Sequence, residues 1–80
     1  MSDTVTLPSL GGSAEEAVVV GLEVEVGDAV EEGQTLLTVE AEKIDVAVPA
    51  PRSGVVAKFM VEVDDTVKVG QPVCVLEDPS

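Results

Sequence analysis

The sequence predicts an all-β fold: a flattened antiparallel sandwich or barrel built from two quasi-symmetric four-stranded units, in a single domain covering residues 1–80. Three observations carry that expectation. Apolar residues make up 45% of the chain and half of them are valine, with Phe59 the single aromatic; branching at Cβ suits a pleated strand and costs rotamer freedom in a helix. Apolar and polar residues alternate over short runs separated by glycine, aspartate and proline, which is the period of a half-buried strand. The chain also contains a repeat, because residues 17–41 align without a gap on residues 54–78 at an offset of 37, with ten of 25 positions identical. Five of those identities are valine pairs, whereas Glu25/Glu62, Asp28/Asp65, Gly33/Gly70, Gln34/Gln71 and Glu40/Glu77 are harder for a valine-rich chain to supply by chance.

Taken in order, Thr4–Pro8 reads as a strand at a sheet edge, ended by Pro8 and followed by a polar loop from Gly11 to Glu16. Ser13 with Glu16 resembles a capping box, but Val18–Val20 follow at once, so one helical turn is the most that fits. Val18, Val20, Leu22, Val24 and Val26 share a face expected to point inward, with Glu23 and Glu25 opposed. The second copy repeats that face as Val55, Ala57, Phe59, Val61 and Val63, opposed by Lys58 and Glu62. Leu37 with Val39, and Cys74 with Leu76, form the second inward stripe of each copy. Gly27-Asp28, Asp64-Asp65, Gly33-Gln34 and Gly70-Gln71 supply turns. The segment Glu40–Asp45 lies between an inward stripe and a further short strand, Val46–Val48, so Lys43 is expected at a hairpin turn. A unit of this length cannot cover its own apolar face, which predicts two copies packed face to face about a pseudo-twofold axis. Met1 stands close to the first strand, and Asp78-Pro79-Ser80 reads as the start of a linker.

Composition narrows the function. Four basic residues against sixteen acidic ones give a formal charge of −12 at pH 7, which argues against nucleic acid and against an anionic membrane surface as partners. No run approaches the length of a membrane span, and residues 1–20 lack the basic start and apolar stretch of a secretory leader. The expected setting is the cytoplasm, or the mitochondrial matrix after removal of a targeting peptide. Cys74 is the only cysteine and the chain has no histidine, so no internal disulfide can form and no soft-metal site is expected. Cys74 itself reads as a small buried filler. The acidic pairs Glu31/Glu32 and Asp64/Asp65 lack the ligand alternation of a calcium loop. Nothing pairs a nucleophile with a base, so no catalytic residue is assigned and the chain is not read as an enzyme.

A lysine in an acidic turn is ordinarily a solvated surface residue, and the flanking sequence gives Lys43 its interest. Glu40 through Val56 includes Glu42 before the lysine, the step Val48-Pro49-Ala50-Pro51, and Gly54-Val55-Val56. Leu7-Pro8-Ser9-Leu10-Gly11 and Val26 through Gln34 continue the pattern. On these residues the chain resembles the lipoyl carrier domains of dihydrolipoyl acyltransferases, in which Asp more often precedes the lysine and a small residue follows it. The resemblance implies lipoate attached covalently to Lys43, with Glu42 and Ile44 as flanking recognition residues. It also implies recognition by Gly11, Gly12, Ser13, Glu15, Glu16, Glu40 and Asp45, although a solvated loop and face would account for those positions equally. The implied partners are a lipoate ligase or lipoyl transferase, a thiamine-dependent 2-oxo acid dehydrogenase, an acyltransferase core and the flavoprotein dihydrolipoyl dehydrogenase. Two alternatives share the fold. Biotinyl carrier domains place Met on both sides of their lysine after Glu-Ala; Glu40-Ala41 fits that pattern, while Glu42, Ile44 and the two prolines fit the lipoyl one. An unmodified adaptor domain, with Lys43 incidental, is the other.

Overall fold

Valine-rich runs of five to seven residues are too short for helices to bury and long enough for strands, and strands are what they form. The structure, a computed structural model, describes residues 2–10, 14–42 and 44–78. Among these residues all regular structure is strand: β1 (Ser2–Thr6), β2 (Glu16–Leu22), β3 (Ala29–Val30), β4 (Thr35–Ala41), β5 (Ile44–Pro49), β6 (Gly54–Phe59), β7 (Thr66–Lys68) and β8 (Pro72–Glu77). They make two four-stranded sheets in the orders β1-β8-β6-β3 and β5-β4-β2-β7, and every pairing is antiparallel. The expected edge strand is present as Ser2–Thr6 against β8, and the expected Val46–Val48 strand extends from Ile44 to Pro49. Ser13 lies outside the described residues, and Glu16 opens β2.

The repeat explains the topology. An offset of 37 carries β2 onto β6, β3 onto β7 and β4 onto β8, and the same operation converts one sheet order into the other if β5 is matched to β1. Each unit therefore sends its shortest strand into the other unit's sheet: β3 pairs with β6, and β7 with β2. Backbone bonds obey the same relation. Val19 N donates to Asp65 O at 2.8 Å and Asp64 N to Val19 O at 2.7 Å, while Val56 N donates to Asp28 O at 2.9 Å and Gly27 N to Val56 O at 2.8 Å. The units are interlocked across the axis as well as stacked on it.

Among the identical residues of the repeat are its turn locks. Asp28 Oδ2 accepts from Glu25 N and Asp65 Oδ2 from Glu62 N, both at 2.9 Å; Gln34 Oε1 accepts from Glu31 N and Gln71 Oε1 from Lys68 N, both at 3.1 Å. Each side chain closes the four-residue turn that precedes it, satisfying an amide that the ladder leaves unpaired. Gly33 and Gly70 adopt φ of 86° and 87°, a region that costs any residue with a Cβ about 1–2 kcal/mol.

The inward face expected for β2 and β6 is the wrong one. Ala17 and Val19 are buried, whereas Val18 is 37% and Val20 44% exposed; in the second unit Val56 is buried while Val55 and Ala57 are only partly so. The cause is a bulge repeated at the offset. Register shifts by one residue between Val19 and Gly21 and again between Val56 and Lys58, so the parity that faces the core changes mid-strand. Beyond the bulge Val24 and Val61 are buried as expected, but Val26 and Val63 stand exposed on the turns. The second stripe is as expected: Leu37, Val39, Cys74 and Leu76 are fully buried, joined by Leu36 and Val73. A second pair of register shifts, at Thr35/Leu37 and at Val5/Thr6 opposite Cys74 and Pro72, accompanies two consecutive inward residues in β4 and β8. Burial pushes the Cys74 thiol pKa up.

Candidate functional site

Strands β4 and β5 run to a tight reversal. Val39 pairs with Val46, Glu40 with Asp45 and Ala41 with Ile44, so only Glu42 and Lys43 stand between the last pair in sequence. Two-residue reversals between antiparallel strands favour φ > 0 in the loop because that twist matches the strands, and Glu42 adopts φ 50°. Lys43 itself lies outside the described residues. Its neighbours in sequence face solvent: Glu42 is exposed, and Ile44, a branched aliphatic residue, is 64% exposed.

Behind the tip, Glu40 and Asp45 are both exposed and are direct cross-strand partners. Like charges placed opposite one another on a sheet destabilise it, so this pair costs stability and concentrates negative potential one residue from the tip. The corresponding position of the second unit pairs Glu77 with Ser2, and the acidic residues there, Asp3 and Asp78, are held by Arg52. Its guanidinium hydrogen-bonds Asp3 and lies 2.7 Å from Asp78. The two twofold-related ends thus differ: one is tied by an arginine, the other carries an opposed acidic pair.

The loop before β2 comes back to this tip. Gly11, Gly12 and Ser13 lie outside the described residues. Ala14, Glu15 and Glu16, however, line an open depression together with Glu42 and Lys68. Val69 N donates to Glu15 O at 2.9 Å, and Glu16 faces Lys68 in the β2–β7 ladder. The structure therefore brings Glu15, Glu16 and Glu42 around one depression and places Glu40, Asp45 and Ile44 next to it along β4 and β5. Sequence reasoning missed Lys68. Its signal was present in the repeat, where the offset pairs Lys68 with Glu31 and reverses the charge. Among the described residues no group of three or more His, Cys, Asp or Glu could hold a metal ion.

A covalent arm needs an accessible amine more than it needs a cavity, and the solvent-facing flanks of position 43 fit such a group. Over 77 residues the chain is 39% identical to the dihydrolipoyllysine-residue acetyltransferase component of the pyruvate dehydrogenase complex of Haemophilus influenzae, covering 96% of this chain and 13% of the relative. It is 32% identical over 76 residues to the succinyltransferase component of the 2-oxoglutarate dehydrogenase complex of Staphylococcus saprophyticus, covering 95% of this chain and 18% of the relative. The chain thus spans less than a fifth of the length of these curated relatives. The solution structure of the lipoyl domain of the Azotobacter vinelandii 2-oxoglutarate dehydrogenase complex superposes with TM-score 0.72 at 22% identity, covering 95% of this chain and 99% of that one. A segment of the Kluyveromyces lactis urea carboxylase superposes with TM-score 0.84 at 26% identity, covering 96% of this chain and 6% of that one. The Biotin_lipoyl family model, described as "Biotin-requiring enzyme", matches residues 3–76, and the chain belongs to that family.

Proposed function

We propose that this domain is a lipoyl carrier, modified on Lys43, that presents its arm to the active sites of a 2-oxo acid dehydrogenase complex. The observation that carries the reading is the hairpin: the ladder closes at Ala41 and Ile44 with only Glu42 and Lys43 between them in sequence. The kinship to acetyl- and succinyltransferase components supports lipoate as the group. Bound lipoate supplies a cyclic disulfide that can be opened, acylated and closed again. The protein supplies an amine to attach it, a surface to be recognised by, and restriction of the arm to a small volume. Such restriction raises effective concentration into roughly the millimolar range without tight contact. The domain is a carrier and leaves catalysis to its partners: a ligase or transferase that loads Lys43, a thiamine-dependent dehydrogenase, an acyltransferase core and dihydrolipoyl dehydrogenase. Its low cysteine content and acidic composition suit the cytoplasm or the mitochondrial matrix.

One observation favours a second reading. The urea carboxylase segment superposes with the higher TM-score, 0.84 against 0.72 for the lipoyl domain, and biotin is the alternative group on the same lysine. Intact mass separates the two. Co-expressed with a lipoate ligase, the chain is expected to gain one lipoyl amide, lost in Lys43→Arg; co-expressed with a biotin ligase it is expected to stay unmodified and escape streptavidin. Streptavidin capture of the wild type, with no gain of lipoyl mass, would replace the first reading by the second.

A further inference from the structure

Strand β1 is held to the body unevenly along its length. It is the outer strand of its sheet, with β8 as its ladder partner, and it precedes the repeat, so it is not among the strands that the two units exchange. Where the chain leaves β1 it is pinned: Val5 is 5% and Leu7 1% exposed, Leu7 N donates to Gln71 O at 3.0 Å and Gly70 N to Leu7 O at 2.9 Å. The first three residues bring nothing to the core, since Ser2, Asp3 and Thr4 are all exposed. Between the two parts the register against β8 shifts, at Val5/Thr6, and a ladder bends most readily at such a point. The side-chain contact that reaches the first part is ionic. Arg52, on the connection that carries the chain from β5 in one sheet to β6 in the other, hydrogen-bonds Asp3 and stands 2.7 Å from Asp78, just past the end of β8. A planar guanidinium serves two carboxylates at once better than an ammonium does, and a network of charges contributes more than an isolated surface pair. Carried two residues beyond the start of the repeat, the offset of 37 sets Glu15 against Arg52, so the related site beside the hairpin carries the opposite charge.

We propose that Arg52 is an ionic latch for the arm Ser2–Thr4: set, it holds the arm on β8; released, the arm swings away about the Val5/Thr6 shift while Val5 and Leu7 stay in the core. An open arm leaves the edge of β8 from Val75 to Glu77 without a partner, the form in which a sheet accepts a foreign strand. The latch therefore guards an edge. Because β3 and β7 keep the two units interlocked, opening the arm does not unfold the body. The side chains of Arg52, Asp3 and Asp78 are 34%, 48% and 51% exposed, so the latch weakens as ionic strength rises.

Hydrogen exchange followed by NMR on the 80-residue chain, over a series of low denaturant concentrations, tests this with Arg52→Gln, Arg52→Lys, Asp3→Asn and the double variant Arg52→Gln/Asp3→Asn beside the wild type. Amides of the ladder between Ser2–Thr4 and Val75–Glu77 are expected to exchange through an opening that depends little on denaturant, while the most protected amides of β4 follow the full slope of global unfolding. Arg52→Gln should speed the arm's amides about three- to tenfold and Arg52→Lys by less, and Asp3→Asn should speed them on its own but add little to Arg52→Gln. Salt at roughly 0.5 M should bring the wild type and Arg52→Gln together. Arm amides that exchange alike in the wild type and Arg52→Gln overturn the latch. Arm amides that follow the β4 slope in the wild type overturn it too, because the strand then opens only with the whole fold. Should Arg52→Gln lose the protection of β4, Asp3→Asn, which leaves Arg52 with Asp78, decides the question by the same comparison.

Discussion

Gly54 opens β6 directly against the end of β8, and a Cβ built there would meet the Glu77 carbonyl oxygen at 2.7 Å. Because that neighbour is backbone, it cannot swing away. Gly54→Ala is expected to destabilise by about 1–3 kcal/mol, read as a lowered denaturant midpoint with unchanged m. At Gly21 the nearest atom is the mobile Glu23 carboxylate, 3.3 Å away, and Gly21→Ala should cost far less. Cys74 yields a pH prediction. The buried thiol holds its proton more tightly than the unfolded one, so its contribution is intact at neutral pH and is lost as the pH climbs past about 9, the ordinary thiol value. Thermal midpoints recorded from pH 7 to pH 11 should fall more steeply in the wild type than in Cys74→Ala, even though the variant starts lower because of the cavity it opens. Equal slopes would mean that the thiol does not set the alkaline limit.

Between elements, the opposed Glu40 and Asp45 at the β4–β5 reversal test the proposal that stability is given up there for recognition. Asp45→Lys turns a repulsive cross-strand pair into an attractive one and is expected to stabilise by about 0.2–1 kcal/mol, while weakening productive encounter with ligase or dehydrogenase, as a raised KM in the lipoylation assay would record. A variant that gains stability with no change in KM would strip the pair of its recognition role. The same strands show how far the sequence could be read. The repeat was legible because its identities beyond valine include the turn locks Asp28, Asp65, Gln34 and Gln71, whose side-chain oxygens close their turns. The hairpin was legible because a short acidic segment sits between two apolar runs. The faces of β2 and β6 were not, because a bulge at Val20 and again at Ala57 reverses parity; Gly21 follows the first bulge but Lys58 the second, so no repeated glycine or proline marks the pair, and both parities are rich in valine. The approach of Glu15 to Val69, 54 positions away in the chain, left no local trace.

At the scale of the molecule, extents of 39 × 20 × 17 Å describe a narrow body with two interlocked units, and unfolding is expected to be a single cooperative transition because β3 and β7 each belong to the opposite sheet. Excising either unit should leave no folded fragment, as circular dichroism of residues 14–53 and 54–78 would establish. The pairing of Ser2 with Glu77 has a consequence for engineering. Those paired strand ends occupy, in the second unit, the place that Glu40 and Asp45 occupy in the first. Joining Asp78 to Ser2 through a short turn would close the chain into a ring, and a lysine built into that new bend would give one small body a second exposed amine, at the reversal related by the twofold to that of β4 and β5.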